Sequence, residues 1–387
     1  RLALVGLQAA PMQQERTPSR NLTFLLDVSG SMMPENRLPL VKTAMRMLVD
    51  TLRAEDRVAI VVYASGTGVV LQPTAGDRKA VINSAIADLR AGGSTNGAGG
   101  IELAYNLASE HFAKGGINRV ILATDGDFNV GITNNETLVD MVEREREAGV
   151  TLTTLGFGTG NYNEAMMEQI ADHGNGNYSY IDSPREAWRV LDQELSSTLF
   201  TIAQDVKIQV EFNPAYVREY RLIGYENRTL REEDFDNDEV DAGDIGAGHQ
   251  VTALYEIVPA GGRGWLPERA FDANRRTAGE AQGGQAGQMA HLRLRYKLPG
   301  QDESRLIEQW VDAGLIRSAR APVGDSAFAA AVAAYGQLLR GDTQMGGFSF
   351  ADVRRLAARA RADDYWRIEF VRLAELAERH RFAGGDE

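Results

Sequence analysis

The 387-residue chain contains no cysteine. That excludes disulfide frameworks, zinc–thiolate sites, iron–sulfur clusters and thiol nucleophiles. It assigns no compartment, because a disulfide-free chain serves in any of them. Histidine is sparse: His111, His173, His249, His291 and His380 stand isolated, with neither metalloprotease spacing nor the pairing of a His-based triad. Positive charge is in deficit, 41 Lys and Arg against 54 Asp and Glu for a net charge of −13. This argues against nucleic acid as the main partner, since phosphate binding needs clustered basic residues. No Gly-x-x-x-x-Gly-Lys-Ser/Thr loop occurs, so P-loop nucleotide chemistry is out. Long apolar runs are missing as well. Residues 58–64 make a run of seven, far short of the roughly 20 that cross a bilayer as a helix. The chain begins at Arg1 rather than Met and is expected to be a processed or trimmed piece, its targeting segment out of view.

What is present is an ordinary globular balance, 43% apolar and 25% charged, enough for a large core. At about 150 residues per domain the length suggests two or three domains. Residues 21–27 (NLTFLLD) are an apolar run ending in turn-rich residues and read as a buried strand. Helical spacing follows over 38–52, with Asn36 as the expected cap. Residues 57–64 and 69–71 are β-branched runs flanking Ser65-Gly66-Thr67-Gly68, a hairpin signal. Helices are expected over 78–89, 100–112, 136–148, 164–171 and 185–198, and strands over 119–124, 150–155 and 178–181. This alternation predicts an α/β, Rossmann-like fold, a doubly wound and mostly parallel sheet covered on both faces, with the hairpin as an antiparallel edge.

Past residue 201 the period becomes two. Residues 205–212, 251–257 and 292–297 alternate apolar and polar side chains, as half-buried antiparallel strands do. Polar or Gly-rich links, 232–248 and 273–288, separate them, and the second reads as a loop. Helical patterns return over 326–339, 351–362 and 366–379, expected to pack on the β domain. The expected division is an N-terminal segment 1–20 that can lend a strand to the β domain, an α/β domain 21–200, a β-sandwich-like domain 201–315 and a C-terminal helical region 316–387.

The strongest chemical signal is Asp27-Val28-Ser29-Gly30-Ser31 at the end of the first strand. A carboxylate, two hydroxyls at alternate positions and a glycine for the turn place three oxygen ligands around one point. Oxygen-only ligation selects a hard cation: Mg²⁺, with Mn²⁺ or Ca²⁺ as alternatives. Doubly wound sheets bind ligands at the carboxyl ends of their strands. Two more segments reach that edge: the glycine-rich loop Gly92-Gly93-Ser94-Thr95-Asn96-Gly97, which offers the Thr95 hydroxyl, and Ala123-Thr124-Asp125-Gly126, which offers a second carboxylate. A D-x-S-x-S string alone more often satisfies a turn; all three loops in the right order outweigh that reading. Met32, Met33, Pro34, Glu35, Asn36, Phe128 and Asn129 are expected to rim the site.

These residues resemble the metal-ion-dependent adhesion site of the von Willebrand factor type A (VWA) domains, and the likeness covers residues 21–198. All five motif positions are filled. The resemblance implies that Ser29, Ser31 and Thr95 coordinate a cation through hydroxyls, with Asp27 and Asp125 acting directly or through waters. The whole chain resembles bacterial exported proteins that join this module to a C-terminal domain of unknown function, through Val206-Lys207-Ile208-Gln209-Val210-Glu211-Phe212-Asn213-Pro214 and Arg221-Leu222-Ile223-Gly224-Tyr225-Glu226-Asn227. That likeness implies a periplasmic or cell-envelope location, often with a lipid anchor on the longer precursor.

A cation held by hydroxyls and two carboxylates keeps a position that a partner's Asp or Glu can fill, so the expected function is metal-dependent protein binding without catalysis. One alternative is metal-assisted phosphoryl transfer or hydrolysis at the same aspartate, which would want a nucleophilic Asp and a Lys; Ser29 and Ser31 stand in the neighbouring positions and the three loops hold no lysine. Another is a structural scaffold with a vestigial site. Asp125, Asp127, Asn129 and Glu136 imitate an EF-hand, but Val130 replaces the required Gly and a strand precedes the loop. Gly156-Phe157-Gly158-Thr159-Gly160 lacks dinucleotide spacing and reads as a turn. The acidic stretch Asp234, Asp236, Asp238, Asp241 and Asp244 reads as a solvated loop rather than a Ca²⁺ site.

Overall fold

The computed structural model describes residues 1–11, 18–94, 98–126, 135–159, 163–194, 201–225, 229–266, 286–360 and 364–383. Thr95, Asp127, Phe128, Asn129, Val130 and most of the 273–288 link lie outside them.

The chain runs through β1 (Leu2–Gln8), β2 (Arg20–Asp27), α1 (Leu38–Thr51), β3 (Arg57–Tyr63), β4 (Thr67–Ala75), α2 (Lys79–Asp88), α3 (Ala98–Glu110), β5 (Ile117–Thr124), α4 (Asn135–Glu147), β6 (Thr151–Phe157), α5 (Glu164–His173), β7 (Tyr178–Ile181) and α6 (Pro184–Trp188). Strands β2 to β7 form one sheet in the order β4-β3-β2-β5-β6-β7. Neighbours are parallel except for the antiparallel β3–β4 hairpin. Every residue of β2 is buried, because the sheet is covered on both faces. Leu22, Phe24 and Leu26 pack with Leu40, Val41 and Leu48 of α1 on one side. On the other, Leu25, Val61 and Leu122 pack with Ile101, Tyr105, Val142 and Ile170. Full burial of each such side chain contributes roughly 1.5–3 kcal/mol. The sheet therefore holds its carboxyl-end loops on a stiff base.

The start of β2 is fixed by Asp56, whose side chain is completely buried. Its carboxylate accepts hydrogen bonds from Arg20 N (2.9 Å), Arg20 Nη2 (2.6 Å) and Arg53 N (2.8 Å). Burial works to raise this carboxyl, but the bonds from Arg20 and Arg53 outweigh it and hold it at about 2.

Two details of the α/β part differ from expectation. Asn36 does not cap α1: Arg37 takes the N-cap position and makes no side-chain cap bond, because its side chain is drawn to the carboxyl edge of the sheet instead. The helix expected over 185–198 is α-helical only to Trp188 and continues as a π turn over Arg189–Glu194.

The second half contains β8 (Thr201–Phe212), β9 (Val217–Ile223), β10 (Gly243–Gly246), β11 (Gln250–Pro259), β12 (Gln288–Lys297) and β13 (Ser304–Asp312). They make two antiparallel sheets, β1-β11-β9 and β10-β8-β12-β13. Phe212, Val217, Ile257 and Met289 bring both sheets into one apolar cluster, the arrangement of a sandwich. The acidic stretch is not a free solvated loop. Period-two spacing puts Arg293, Arg295 and Lys297 on one face of β12, and Asp236 and Asp238 fold over it to pair with the two arginines while Asp205 takes Lys297. Asp241 instead pairs with Arg146 of α4, tying the β domain to the α/β domain.

The chain closes with α7 (Gly314–Ser318), α8 (Gly324–Leu339), α9 (Phe350–Ala357) and α10 (Tyr365–Ala383). The expectation that the helices over 326–339, 351–362 and 366–379 pack on the β domain does not hold for α8, α9 and α10. Those three helices bury their apolar residues mainly on one another, through Ala331, Leu338, Phe350, Val353 and Phe370, whereas Ile316 of α7 packs against the β-sheet cluster. They touch the rest of the chain through polar and aromatic contacts: Asp342 pairs with Arg221, and the Arg185 guanidinium lies 3.8 Å over the Tyr365 ring. Among the described residues no helix is long and apolar enough to cross a membrane.

Candidate functional site

Strand order reverses at β2, which has β3 on one side and β5 on the other. The crevice at the carboxyl ends of β2 and β5 is therefore the topological switch point, where open α/β sheets bind ligands. The register sets Leu26 beside Ala123 and Asp27 beside Tyr63. This leaves Thr124 and Asp125 next to Asp27.

Asp27 is fully buried. Its Oδ1 accepts from Ser29 N at 2.8 Å and its Oδ2 from Thr124 Oγ1 at 3.2 Å. The turn that makes the first bond also brings the Ser29 and Ser31 hydroxyl oxygens to 2.9 Å of each other. Gly126 N donates to Thr124 Oγ1 at 3.2 Å, and its φ of +88° provides the left-handed bend that only glycine adopts without strain. The glycine-rich loop is bound to the Asp27 turn by two backbone bonds, Gly30 N to Gly93 O (3.0 Å) and Gly92 N to Val28 O (2.8 Å). Three loops distant in sequence are thus joined at one edge.

Burial pushes the Asp27 carboxyl up and the nearby Asp125 charge adds to that, while the bonds from Ser29 and Thr124 oppose it. Tyr63 is also pushed well up, by burial first and then by the Asp27 charge, so its hydroxyl stays protonated. Asp125, its side chain 3% exposed, pairs with Arg37: Nη1 donates to Oδ2 at 2.5 Å.

Of the expected site residues, Asp27, Ser29 and Ser31 are gathered directly, Asp125 adjoins them through Thr124, and Thr95 lies outside the described residues. Met32 is no part of a rim: it is fully buried in the core under the sheet, whereas Met33 is exposed. Phe128 and Asn129 are outside the described residues. The reading from sequence missed Arg37, Thr124 and Tyr63. Thr124 was legible as the hydroxyl preceding Asp125; Arg37 carried no spacing signal, since a side chain folding back over a helix start has none.

The chemistry of this donor set suits a hard divalent cation. It offers carboxylate and hydroxyl oxygens only, and the Asp125 charge stands close enough to oppose ionisation of the buried Asp27. Among the described residues no group of three or more His, Cys, Asp or Glu is placed to hold a metal, so a cation here would depend on the hydroxyls.

The mostly parallel sheet, with antiparallel sheets and helices after it, coincides with two family matches. Residues 21–193 match the von Willebrand factor type A domain family, and residues 197–379 match the family described as the C-terminal part of the uncharacterized protein YfbK. The chain thus carries a match to each of these two families, one after the other. It is 48% identical over 379 residues to the uncharacterized protein YfbK of Escherichia coli strain K12, spanning 97% of this chain and 65% of that one. It is also 31% identical over 205 residues to the uncharacterized protein sll0103 of Synechocystis, covering 51% of this chain and 47% of that protein. The chain thus spans about half to two thirds of the length of these relatives. A solved structure described as von Willebrand factor type A from Catenulispora acidiphila aligns at 16% identity and a TM-score of 0.49, over 96% of this chain and 88% of that chain.

Proposed function

We propose that this site is a divalent-cation centre through which the protein binds an acidic side chain of a partner protein. Asp27, Ser29, Ser31, Thr95 and Asp125 would hold the ion, Mg²⁺ in the first instance and Mn²⁺ or Ca²⁺ as alternatives. Such an ion supplies a Lewis-acidic position that an Asp or Glu carboxylate can occupy. The observation that carries the reading is the meeting of a buried Asp27 with the paired Ser29 and Ser31 hydroxyls and with Asp125 at the switch point.

The residues of this chain do the remaining work. Ser29 N and Thr124 Oγ1 aim the two Asp27 oxygens, and bonds to Gly30 and Val28 tie Gly92 and Gly93, which precede Thr95 in sequence, to the same edge. Partner choice would lie with exposed neighbours such as Met33. We infer binding rather than catalysis, because hydroxyl-dominated ligation suits holding a carboxylate better than activating a nucleophile. A periplasmic or cell-envelope location goes with this reading, from the resemblance to bacterial exported proteins; fractionation of cells expressing the full-length protein tests it.

Thermal melting in EDTA-stripped buffer, with and without Mg²⁺ or Mn²⁺, tests the centre. Metal at 100 times its dissociation constant stabilises by about 2.7 kcal/mol, a shift of roughly 5–11 °C for a domain of this size. The Asp27→Asn, Asp125→Asn double variant should show none. If wild type and variant melt alike at every metal concentration, the reading is wrong.

A further inference from the structure

The arginine beside the site has more contacts than a surface cation needs. Arg37 Nη1 donates to Asp125 Oδ2 (2.5 Å) and to the Ser31 carbonyl (2.7 Å), and Nη2 donates to the Thr159 carbonyl (3.0 Å). One guanidinium therefore joins the loops that follow β2, β5 and β6. A slot is built for it. Gly158 has φ +80°, and a Cβ there would stand 2.3 Å from Arg37 Nε and 2.8 Å from Arg37 Cγ, so only glycine leaves room. Tyr180 donates its hydroxyl to the Gly158 carbonyl and holds that side of the slot. The Arg37 side chain is 18% exposed.

We propose that Arg37 is a resident counter-cation that sets the metal affinity of the site, holding it below what the oxygen ligands alone would give. The proposal rests on the reading of the site as a cation centre. Its physical basis is charge. Arginine does not deprotonate in a protein, so a cation at this edge must share Asp125 with a fixed positive charge. Asp27 and Asp125 contribute two negative charges and Arg37 returns one, leaving the cage with a net −1. A divalent ion then leaves +1 where a neutral balance would otherwise stand. Repulsion between the two cations weakens metal binding, and the residual positive charge favours an anionic partner group over a neutral one. Arg37 is a positioning residue in this account: its donors are turned to Asp125 and to the loop carbonyls, not outward to a ligand.

The test is Mn²⁺ binding to the chain by isothermal calorimetry, for wild type, Arg37→Lys, Arg37→Gln and Arg37→Met. Melting in EDTA establishes that each variant is folded, and Gln and Met serve for one another should either fail. Removing the charge should tighten Mn²⁺ binding by at least about 10-fold, a floor well under what Coulomb's law gives for a unit charge several ångströms from a divalent ion at an effective dielectric of about 20. Arg37→Lys, which keeps the charge and loses the fork, should stay near wild type. A residue that only braces the loops would give the opposite sign, with all three variants binding more weakly. Binding by the neutral variants with none by wild type also supports the proposal, in its strongest form. If wild type binds and the neutral variants bind equally or more weakly, the Arg37 proposal is overturned while the cation centre stands. If no form binds Mn²⁺, both fall.

Discussion

A single substitution in the Asp56 cluster should be felt strongly in the α/β domain. Asp56→Ala removes a completely buried carboxylate and leaves Arg20, whose side chain is 8% exposed, without its partner. The lost bonds include Arg20 N, Nε and Nη2 and Arg53 N, all within 3.1 Å. Breaking a buried ion pair from one side costs about 3–5 kcal/mol, because the remaining charge stays buried and unpaired. At about 2–4 °C per kcal/mol for a domain of this size, the transition of the α/β domain should drop by roughly 6–20 °C in scanning calorimetry. Protonation is milder, since a neutral acid still accepts hydrogen bonds. The folded carboxyl lies at about 2 against an ordinary 3.8, so its stabilisation is complete above 3.8 and disappears as pH falls through about 2. That is worth about 2 kcal/mol, and Asp56→Asn should lose this acid-side slope. A drop below about 2 °C for Asp56→Ala would refute the argument, showing that Arg20 regains water or another partner at little cost.

Two further outcomes are expected. Asp244 is pushed up to about 7 by burial and by the charges of Asp205 and Asp241, against the pull of Arg119. The folded chain then keeps a proton that the unfolded chain has released, so stability should fall as pH rises from about 3.8 to 7 and level off above. Asp244→Asn should melt above wild type at pH 8 and beside it at pH 4; equal melting at both would contradict this. Gly176→Ala would place a Cβ 1.7 Å from the Leu152 carbonyl oxygen and 3.0 Å from Thr153 N, both on β6, whose backbone cannot yield. Urea unfolding should show a loss of about 3 kcal/mol or more, and a loss under 1 kcal/mol would mean the strand moves.

The sequence by itself determined the layered α/β domain. Continuous apolar runs such as 21–27 can be buried only between two helical layers, and the helices between them carry the matching 3.6-residue period. It also placed Asp27, Ser29, Ser31 and Asp125 at strand ends, since a turn must follow each run. The β half was less legible. β13 shows why: all nine of its residues are half-buried or exposed, and Leu306, Ile307 and Trp310 face solvent, so no alternation marks an edge strand held by backbone pairing. β10 is a four-residue Gly243–Gly246 segment, too short for any period. Only the tertiary structure decided that the C-terminal helices bury their apolar faces on each other, that the acidic stretch closes over the Arg293, Arg295 and Lys297 face, and that Arg37 turns from its helix toward Asp125. Those are contacts between residues tens of positions apart, made by charge and shape once the backbone is in place, and local pattern carries no record of them.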